Sequence, residues 1–262
     1  MTDPSTIRAA LEESFNALET LGADLTASEW ETPSLCPDWT VRGVFEHVVG
    51  IENALVSWIP DAADTPPPFR LAATFAEEVN GLDAPAFMER VRGVLARRRQ
   101  DLSVLGPSDL ARPSWTPVGP GSYGRFMEIR IFDFWVHERD ISTPLGRPTD
   151  DTGARAKIAL AEVEGSLGYI VGKKVGLPDG RNIVFHLSGP LARDIAVVVD
   201  GRARVVDKAP RADVEIWTDT LTFIQLACGR IDPQDPIDLG TIHWRGDAEL
   251  GERAARNLRF TM

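Results

Sequence analysis

The periodicity of the apolar residues changes along the chain, and this change constrains the fold more than any other feature. In the first part, apolar residues recur at helical intervals, as in the stripe of Ile7, Leu11, Phe15, Leu18 and Leu25. This spacing predicts amphipathic helices. Beyond residue 180 the apolar runs are short and rich in β-branched residues, which favours strands. We therefore expect a helical part followed by an α+β part.

Helices separated by Pro- and Gly-rich loops are predicted in the first part. They run from Ile7 to about Thr26, from Val41 to about Ile59, from about Pro85 to Leu102, and from about Tyr123 to Ser142. Thr40 is a plausible N-cap for the second helix. Four helices joined by loops predict a helix bundle.

The second part combines helices and strands. A helix from about Thr152 to Val171 is followed by four strand-like runs, NIVFHLS, DIAVVVD, RARVV and DVEIWT. Asp200-Gly201, between two of these runs, indicates a hairpin. The segments DTLTFIQLACGR and DAELGERAARNL are typical of amphipathic helices that end near Gly229 and Leu258.

Charge argues against nucleic-acid binding. The net charge of −11 repels phosphate backbones, and the compact basic run Arg97–Arg99 lies at the end of a predicted helix. We interpret this run as a solvated last turn whose cations suit the helix dipole. Other features favour a cytoplasmic protein with no membrane contact: the first residues do not resemble a secretory signal, no apolar run reaches membrane-span length, and the two cysteines, Cys36 and Cys228, are far apart.

The fourth predicted helix carries a carboxylate and an imidazole inside an apolar run. Asp133 and His137 are four residues apart and share one helical face. An ionised carboxylate with no partner in a core costs several kcal/mol, so Asp133 must be paired or must bind a cation. His47, on a mostly apolar face of the second helix, offers a third ligand. Two imidazoles and one carboxylate describe an open zinc site, and the same set can hold Fe²⁺.

A metal-free interpretation is equally supported by the spacing. Asp133 and His137, with Arg130 nearby, could satisfy one another as a buried pair, and a lone His47 on an apolar face is more often a core residue than a ligand. Asp140 lies one turn after His137 and could orient a ligand or act as an acid or base. Glu138 and Arg139 are predicted to be solvated charges, and His186 and His243 ordinary strand residues. For Cys36 a packed or idle thiol is favoured over a nucleophile.

Two sequence segments resemble a known family. LCPDWTVRGVFEHVVG and MEIRIFDFWVHERDISTPLG resemble the mycothiol-dependent maleylpyruvate isomerase family of the DinB-like metalloenzyme superfamily, and DTLTFIQLACGR and HWRGDAELGERAARNL resemble its C-terminal domain, which is related to sterol carrier proteins. The resemblance implies a DinB-like four-helix bundle over residues 1–148 and a small sterol-carrier-protein-like α/β domain over residues 149–262, an α plus (α+β) fold.

The resemblance also implies a function. His47, Asp133 and His137 match the family's metal ligands, although Asp133 stands where the isomerase has Glu; Asp140 and Arg230 match positions implicated in substrate handling. The implied activity is that of a metal-dependent enzyme, with Zn²⁺ expected and Fe²⁺ or Ni²⁺ possible. It would use mycothiol, a low-molecular-weight thiol, to isomerise or S-conjugate a small electrophile, as a monomer or homodimer.

Alternatives from other classes stay open. One is a non-catalytic protein that binds a small molecule or lipid, with a structural polar trio, as the likeness to lipid carriers implies. Another keeps the metal but performs a tailoring step of secondary metabolism, with Fe²⁺ in place of zinc. Metal analysis would separate these hypotheses.

Overall fold

The computed structural model describes residues 2–208 and 211–261. The chain divides into two compact units, Met1–Thr149 and Asp150–Met262. The first unit is helical and the second combines helices with a five-stranded sheet. The predicted fold class, a helix bundle followed by an α+β domain, is confirmed. Within the described residues, no helix combines the length and the apolarity that crossing a membrane would require.

The first unit contains long helices and short connecting elements. The helices are α1 (Pro4–Ala23), α2 (Ala27–Trp30), α3 (Val41–Leu55), α4 (Arg70–Val79), α5 (Ala84–Val104), α6 (Pro107–Leu110) and α7 (Tyr123–Ser142). The strands β1 (Pro113–Ser114) and β2 (Gly121–Ser122) pair in antiparallel orientation. Helices α1 and α3 each pack against both α5 and α7, which closes a bundle around a core of aromatic and aliphatic side chains.

Local capping explains where the site-bearing helices begin. The hydroxyl of Thr40 accepts a hydrogen bond from the backbone N–H of Gly43 at 3.2 Å, which confirms Thr40 as the N-cap of α3. Ser122 caps α7 in the same way, through the N–H of Arg125 at 3.1 Å. Helix α1 begins and ends three residues earlier than predicted, because Asp3 caps its start, whereas Thr26 forms a capping box with Glu29 and starts the separate helix α2. Helix α3 ends at Leu55, before Ser57 adopts a left-handed backbone conformation with φ of 58°.

Helix α4 was not predicted from the sequence. It follows the run Pro66-Pro67-Pro68, and its buried residues are only Phe75 and Val79. The helix has only ten residues and follows three consecutive prolines, which are typical of a loop. Its packing against α3, where Gly50 faces the backbone of Ala72, supplies the stabilisation that local sequence does not.

The arginine run was misinterpreted in part. Arg98 is buried, and its Nε donates to Oε2 of Glu52 on α3 at 2.8 Å. Arg99 forms ion pairs with Glu12 and Glu19 on α1. The prediction of a solvated last turn is therefore wrong for Arg98, which occupies a core position of α5 between Leu95 and Leu102.

The second unit is a sheet covered by helices. Its elements are α8 (Gly153–Tyr169), a π-helical segment (Ile170–Val175), β3 (Asn182–Ser188), β4 (Arg193–Asp200), β5 (Arg202–Val206), β6 (Val214–Asp219), α9 (Thr220–Ala227), α10 (Gln234–Asp238), β7 (His243–Gly246) and α11 (Ala248–Arg256). The strand order is β5-β4-β3-β6-β7, and β3 and β6 are parallel. The hairpin at Asp200-Gly201 is confirmed, because Asp200 pairs with Arg202 across a glycine with φ of 65°.

Neither cysteine forms a disulfide. Cys36 and Cys228 are both buried, and they lie in different units.

Candidate metal centre

The predicted metal ligands converge in the first unit. His47 lies in the middle of α3, and Asp133 and His137 lie on one face of α7, which packs against α3. One potential ligand atom from each side chain lies within 4.8 Å of the other two. The two imidazole ring centroids are 5.0 Å apart. Residues 86 or more positions apart in the chain are thus brought together by helix packing.

The two nitrogens of His137 have different partners. Nδ1 donates to Oδ2 of Asp140 at 2.8 Å, whereas Nε2 lies 3.5 Å from Oδ1 of Asp133. Burial would lower the pKa of His137, but the carboxylates of Asp133 and Asp140 raise it well above its ordinary value. A carboxylate that accepts the Nδ1 proton fixes the ring orientation and leaves Nε2 facing the cluster.

The carboxylate of Asp133 is divided between two neighbours. Oδ2 accepts a hydrogen bond from Nη1 of Arg130 at 2.6 Å, and Oδ1 faces His137. Burial would raise the pKa of Asp133, but the charges of Arg130 and His137 hold it well below its usual range. Asp133 is therefore ionised at neutral pH. The pairing with Arg130 that the sequence suggested as an alternative exists beside the cluster of ligand atoms.

Arg130 belongs to a buried ion-pair network. Its Nε donates to Oε1 of Glu52 at 2.9 Å, and Nη2 donates to the carbonyl of Val48 at 3.3 Å. Arg98 binds the other oxygen of Glu52 at 2.8 Å and also donates to the carbonyl of Leu55. Sequence reasoning missed Glu52 and Arg98. The signal was present, because both charged residues occupy buried faces of their helices.

The loop before α3 lies against the other side of His137. Sγ of Cys36 donates to Oδ2 of Asp140 at 3.1 Å and lies 3.7 Å from Nδ1 of His137. The backbone N–H of Leu35 donates to the carbonyl of Asp140 at 3.0 Å. Asp140 is fully buried, so its carboxylate accepts the hydrogen bonds from His137 and Cys36 without competition from solvent. Cys36 is packed, as expected for a non-nucleophilic thiol, and it is also hydrogen-bonded.

Trp39 was not identified from the sequence, although it flanks both imidazoles. Its ring centroid is 4.8 Å from that of His47 and 6.3 Å from that of His137. The side chain is 38% exposed, which makes it an accessible aromatic wall of the cluster. Asp38, immediately before it, has φ of 65°, a conformation that positions the tryptophan within a tight turn closed by the Trp39 N–H to Cys36 carbonyl bond.

One prediction on α7 is wrong. Arg139 was expected to be solvated, but it is only 2% exposed. Its guanidinium carbon lies 3.4 Å from the centroid of the Trp135 ring, and Nη1 donates to the Trp135 carbonyl at 2.7 Å. Stacking on the indole and a backbone acceptor allow this cation to be buried.

The remaining sequence-predicted residues lie in the second unit. Arg230 follows α9, and its Nη1 donates to the carbonyl of Cys228 at 2.8 Å. His186 contacts Asp194 at 2.7 Å and Glu215 at 3.3 Å. The rings of His186 and His243 stack on opposite sides of the cross-strand neighbour Trp217, at 4.7 and 5.5 Å between centroids.

The donor set of His47, Asp133 and His137 fits a divalent metal. Ligand atoms on one zinc ion are about 3–4 Å apart at the usual bond lengths, so small side-chain movements would close the observed cluster around an ion. Cys36, His137 and Asp140 form a second compact trio, also within 4.8 Å. In that trio Asp140 already accepts hydrogen bonds from both Cys36 and His137, so we interpret the trio as holding the His137 ring in its orientation.

Comparisons with known proteins agree with this architecture. The family model described as mycothiol maleylpyruvate isomerase N-terminal domain matches residues 11–142, and that of the SCP-2 sterol transfer family matches residues 174–259. Two crystal structures of the mycothiol-dependent maleylpyruvate isomerase, one of them of a mutant, match 88% of this chain and 90% of theirs, with a TM-score of 0.58 and identities of 15% and 14%. A search of curated proteins gave no significant match.

Proposed function

Because the chain belongs to the family of the mycothiol maleylpyruvate isomerase N-terminal domain, we propose that it is a metal-dependent enzyme that uses a low-molecular-weight thiol to isomerise or S-conjugate a small electrophile. Mycothiol is the proposed thiol. The observation that carries the proposal is the convergence of His47, Asp133 and His137 within 4.8 Å. Reduced thiols are plentiful in the cytoplasm, which is the proposed location.

His47, Asp133 and His137 are the proposed metal ligands. Zinc is the expected ion, and Fe²⁺ or Ni²⁺ would suit the same nitrogen and oxygen donors. A divalent ion held there would lower the pKa of a bound thiol and so supply a thiolate near neutral pH. The three side chains leave room in a coordination shell for ligands from outside the protein.

Asp140 and Trp39 lie beside the proposed ligands and support this chemistry from fixed positions. Asp140 orients His137 by accepting its Nδ1 proton, and the 2.8 Å contact keeps Nε2 directed at the cluster. Trp39 provides an accessible apolar wall beside both imidazoles, against which a small substrate can pack. Arg230, which belongs to the second unit, is proposed to bind a substrate carboxylate on the basis of its match to the family pattern alone.

The proposed reaction has two possible outcomes, isomerisation and S-conjugation, which share the first step. The thiolate sulfur adds to one carbon of a conjugated double bond, which forms a C–S bond and leaves a single bond free to rotate. Elimination of the thiolate then restores the double bond in the other geometry, which is isomerisation. Protonation of the adduct without elimination gives the S-conjugate. Neither outcome requires an oxidant or reductant.

The proposal can be tested with one pair of variants. Metal-loaded protein is incubated with mycothiol and maleylpyruvate, or with another conjugated electrophile, and turnover is compared for the unaltered protein, Asp133→Ala and Asp207→Ala. Asp207 is exposed and lies in the second unit, so its variant is the matched control. Asp133→Ala should lose at least about a hundredfold in turnover, as removal of a major catalytic group does. Equal turnover by all three proteins would refute the proposal.

A second candidate function is non-catalytic binding of a small apolar molecule. The match of residues 174–259 to the SCP-2 sterol transfer family favours it. In this case Asp133, Arg130 and His137 would form a purely structural polar cluster. Metal analysis of protein prepared without chelators separates the candidates: about one equivalent of metal supports the enzyme. Absence of metal, with no thermal stabilisation by added zinc, supports the binding protein.

A further inference from the structure

Building on the proposed function, we infer that Arg130 is a positioning residue that limits Asp133 to one metal-binding oxygen, Oδ1. Arg130 Nη1 donates to Oδ2 of Asp133 at 2.6 Å, while Oδ1 lies on the side of the carboxylate that faces Nε2 of His137. The hydrogen bond from the guanidinium draws electron density from Oδ2, which makes it the weaker donor, so one ion at the cluster should bind Oδ1 in preference to Oδ2. The consequence is a coordination position kept available for thiol or substrate.

The guanidinium is itself held in place, so it cannot follow Asp133. Its Nε binds Oε1 of Glu52 at 2.9 Å and its Nη2 binds the carbonyl of Val48 at 3.3 Å. The aromatic ring of Phe134 lies beneath it, 5.3 Å from guanidinium carbon to ring centroid. All three nitrogen groups of a residue that is only 4% exposed therefore have partners, and any rotation would leave a buried polar group unpaired.

Glu52 anchors this arrangement from the opposite side. It is fully buried, and its second oxygen binds Nε of Arg98 at 2.8 Å. Glu52 thus bridges the two arginines, while Asp133 pairs with Arg130 and Oδ2 of Asp101 lies 3.5 Å from Nη1 of Arg98. The network therefore orders the site in the metal-free protein, and it offers Oδ1 in a fixed direction before an ion binds.

Arg98 supplies a matched control because it differs from Arg130 in one relevant contact. Both arginines are buried and both donate Nε to Glu52, and of the two it is Arg130 that also donates to Asp133. Arg130→Met and Arg98→Met should destabilise the fold to a similar degree. Only Arg130→Met frees Oδ2 of Asp133.

The experiment uses the full chain loaded with Co²⁺, whose visible absorption weakens as the coordination number rises. Arg130→Met should absorb more weakly than the unaltered protein and should bind mycothiol about tenfold more weakly in a titration followed by that absorption. Arg98→Met leaves the bond from Arg130 to Asp133 in place, so it should change both readouts less than Arg130→Met does. Equal effects of the two substitutions, or no effect of either, would overturn the inference.

A crystal structure of the zinc-loaded, unaltered protein keeps the inference testable if either variant fails to fold. A structure in which one oxygen of Asp133 binds zinc and the other binds Arg130 would support the inference. A structure in which both oxygens bind zinc would overturn it and leave the proposed function unaffected. Failure of the unaltered protein to bind Zn²⁺ or Co²⁺ would instead refute the metal-dependent function itself.

Discussion

At the scale of single residues, the site depends on carboxylates that are buried with defined partners. Asp140 is fully buried between His137 and Cys36, and Glu52 is buried between Arg98 and Arg130. Desolvation of a carboxylate costs several kcal/mol, which such hydrogen bonds and charges offset. Each of these carboxylates therefore holds a neighbouring side chain in one orientation. We expect its removal to lower metal affinity as well as the free energy of unfolding.

Asp140→Asn tests this dependence. The substitution keeps the size of the side chain but removes the charge that accepts the Nδ1 proton of His137. Metal affinity should fall about 10–100-fold, which is the usual cost of losing a partner that orients a metal-bound histidine. Competition with a chromophoric chelator measures it.

Cys36→Ser is the control for Asp140→Asn. A serine hydroxyl still donates to Oδ2 of Asp140, so the variant should bind metal as the unaltered protein does. Unchanged affinity in Asp140→Asn would contradict the orienting role of Asp140. A loss in Cys36→Ser equal to that in Asp140→Asn would show that the thiol is itself required.

At the scale of elements, the short helix α2 links the bundle to the end of the first unit through Glu29. Oε2 of Glu29 accepts from the N–H of Thr26 at 2.7 Å and from its hydroxyl at 2.8 Å, while Oε1 accepts from Arg147 at 3.0 Å. The Thr26 N–H, the Arg147 guanidinium and the Thr26 hydroxyl lower the pKa of Glu29 from 4.5 to about 2. The ionised form is thus stabilised by folding.

This depressed pKa predicts an acid-dependent contribution to stability. The folded pKa lies below the unfolded one, so the contribution is complete above pH 4.5 and is lost as the pH falls through about 2. Glu29→Gln should remove part of the decline in the free energy of unfolding across this range. Urea denaturation between pH 2 and pH 6 measures it.

Glu13→Gln, at an exposed position of α1, is the control for Glu29→Gln. It should leave the pH dependence as it is in the unaltered protein. Parallel pH profiles for Glu29→Gln and the unaltered protein would show that the capping box and the Arg147 pair do not favour ionised Glu29.

At the scale of the whole molecule, the proposed ligands all belong to one of the two compact units. His47, Asp133 and His137 lie within Met1–Thr149, on helices α3 and α7. An ion bound there would stabilise the folded state of that unit, because the unfolded chain does not hold the three side chains together. The second unit contributes none of the three.

Metal removal should therefore act on one thermal transition. At a metal concentration a hundredfold above Kd, binding adds about 2.7 kcal/mol, which corresponds to about 5–10 °C in Tm for a unit of this size. Differential scanning calorimetry with and without a chelator should show the transition of the first unit shifted down and that of the second unchanged. Equal shifts in both transitions would contradict ligands confined to the first unit.

Much of the architecture was determined by the sequence itself because the relevant patterns are local. Helix α7 begins and ends at Tyr123 and Ser142 as predicted, since its cap and apolar spacing lie within its own residues. The four predicted strands are present because β-branched runs pack well on a pleated surface. The shared face of Asp133 and His137 follows from helical geometry alone.

The tertiary structure alone decided which charged groups meet. Arg98 and Glu52 are 46 residues apart, and Cys36 and Asp140 are 104 apart. A local pattern specifies which face of a helix is buried but not what it is buried against, so the sequence could place Arg98 on the buried face of α5 but could not pair it with Glu52. The approach of α3 to α7, which no local pattern encodes, brings the side chain of His47 to those of Asp133 and His137, so the proposed site exists only in the folded unit.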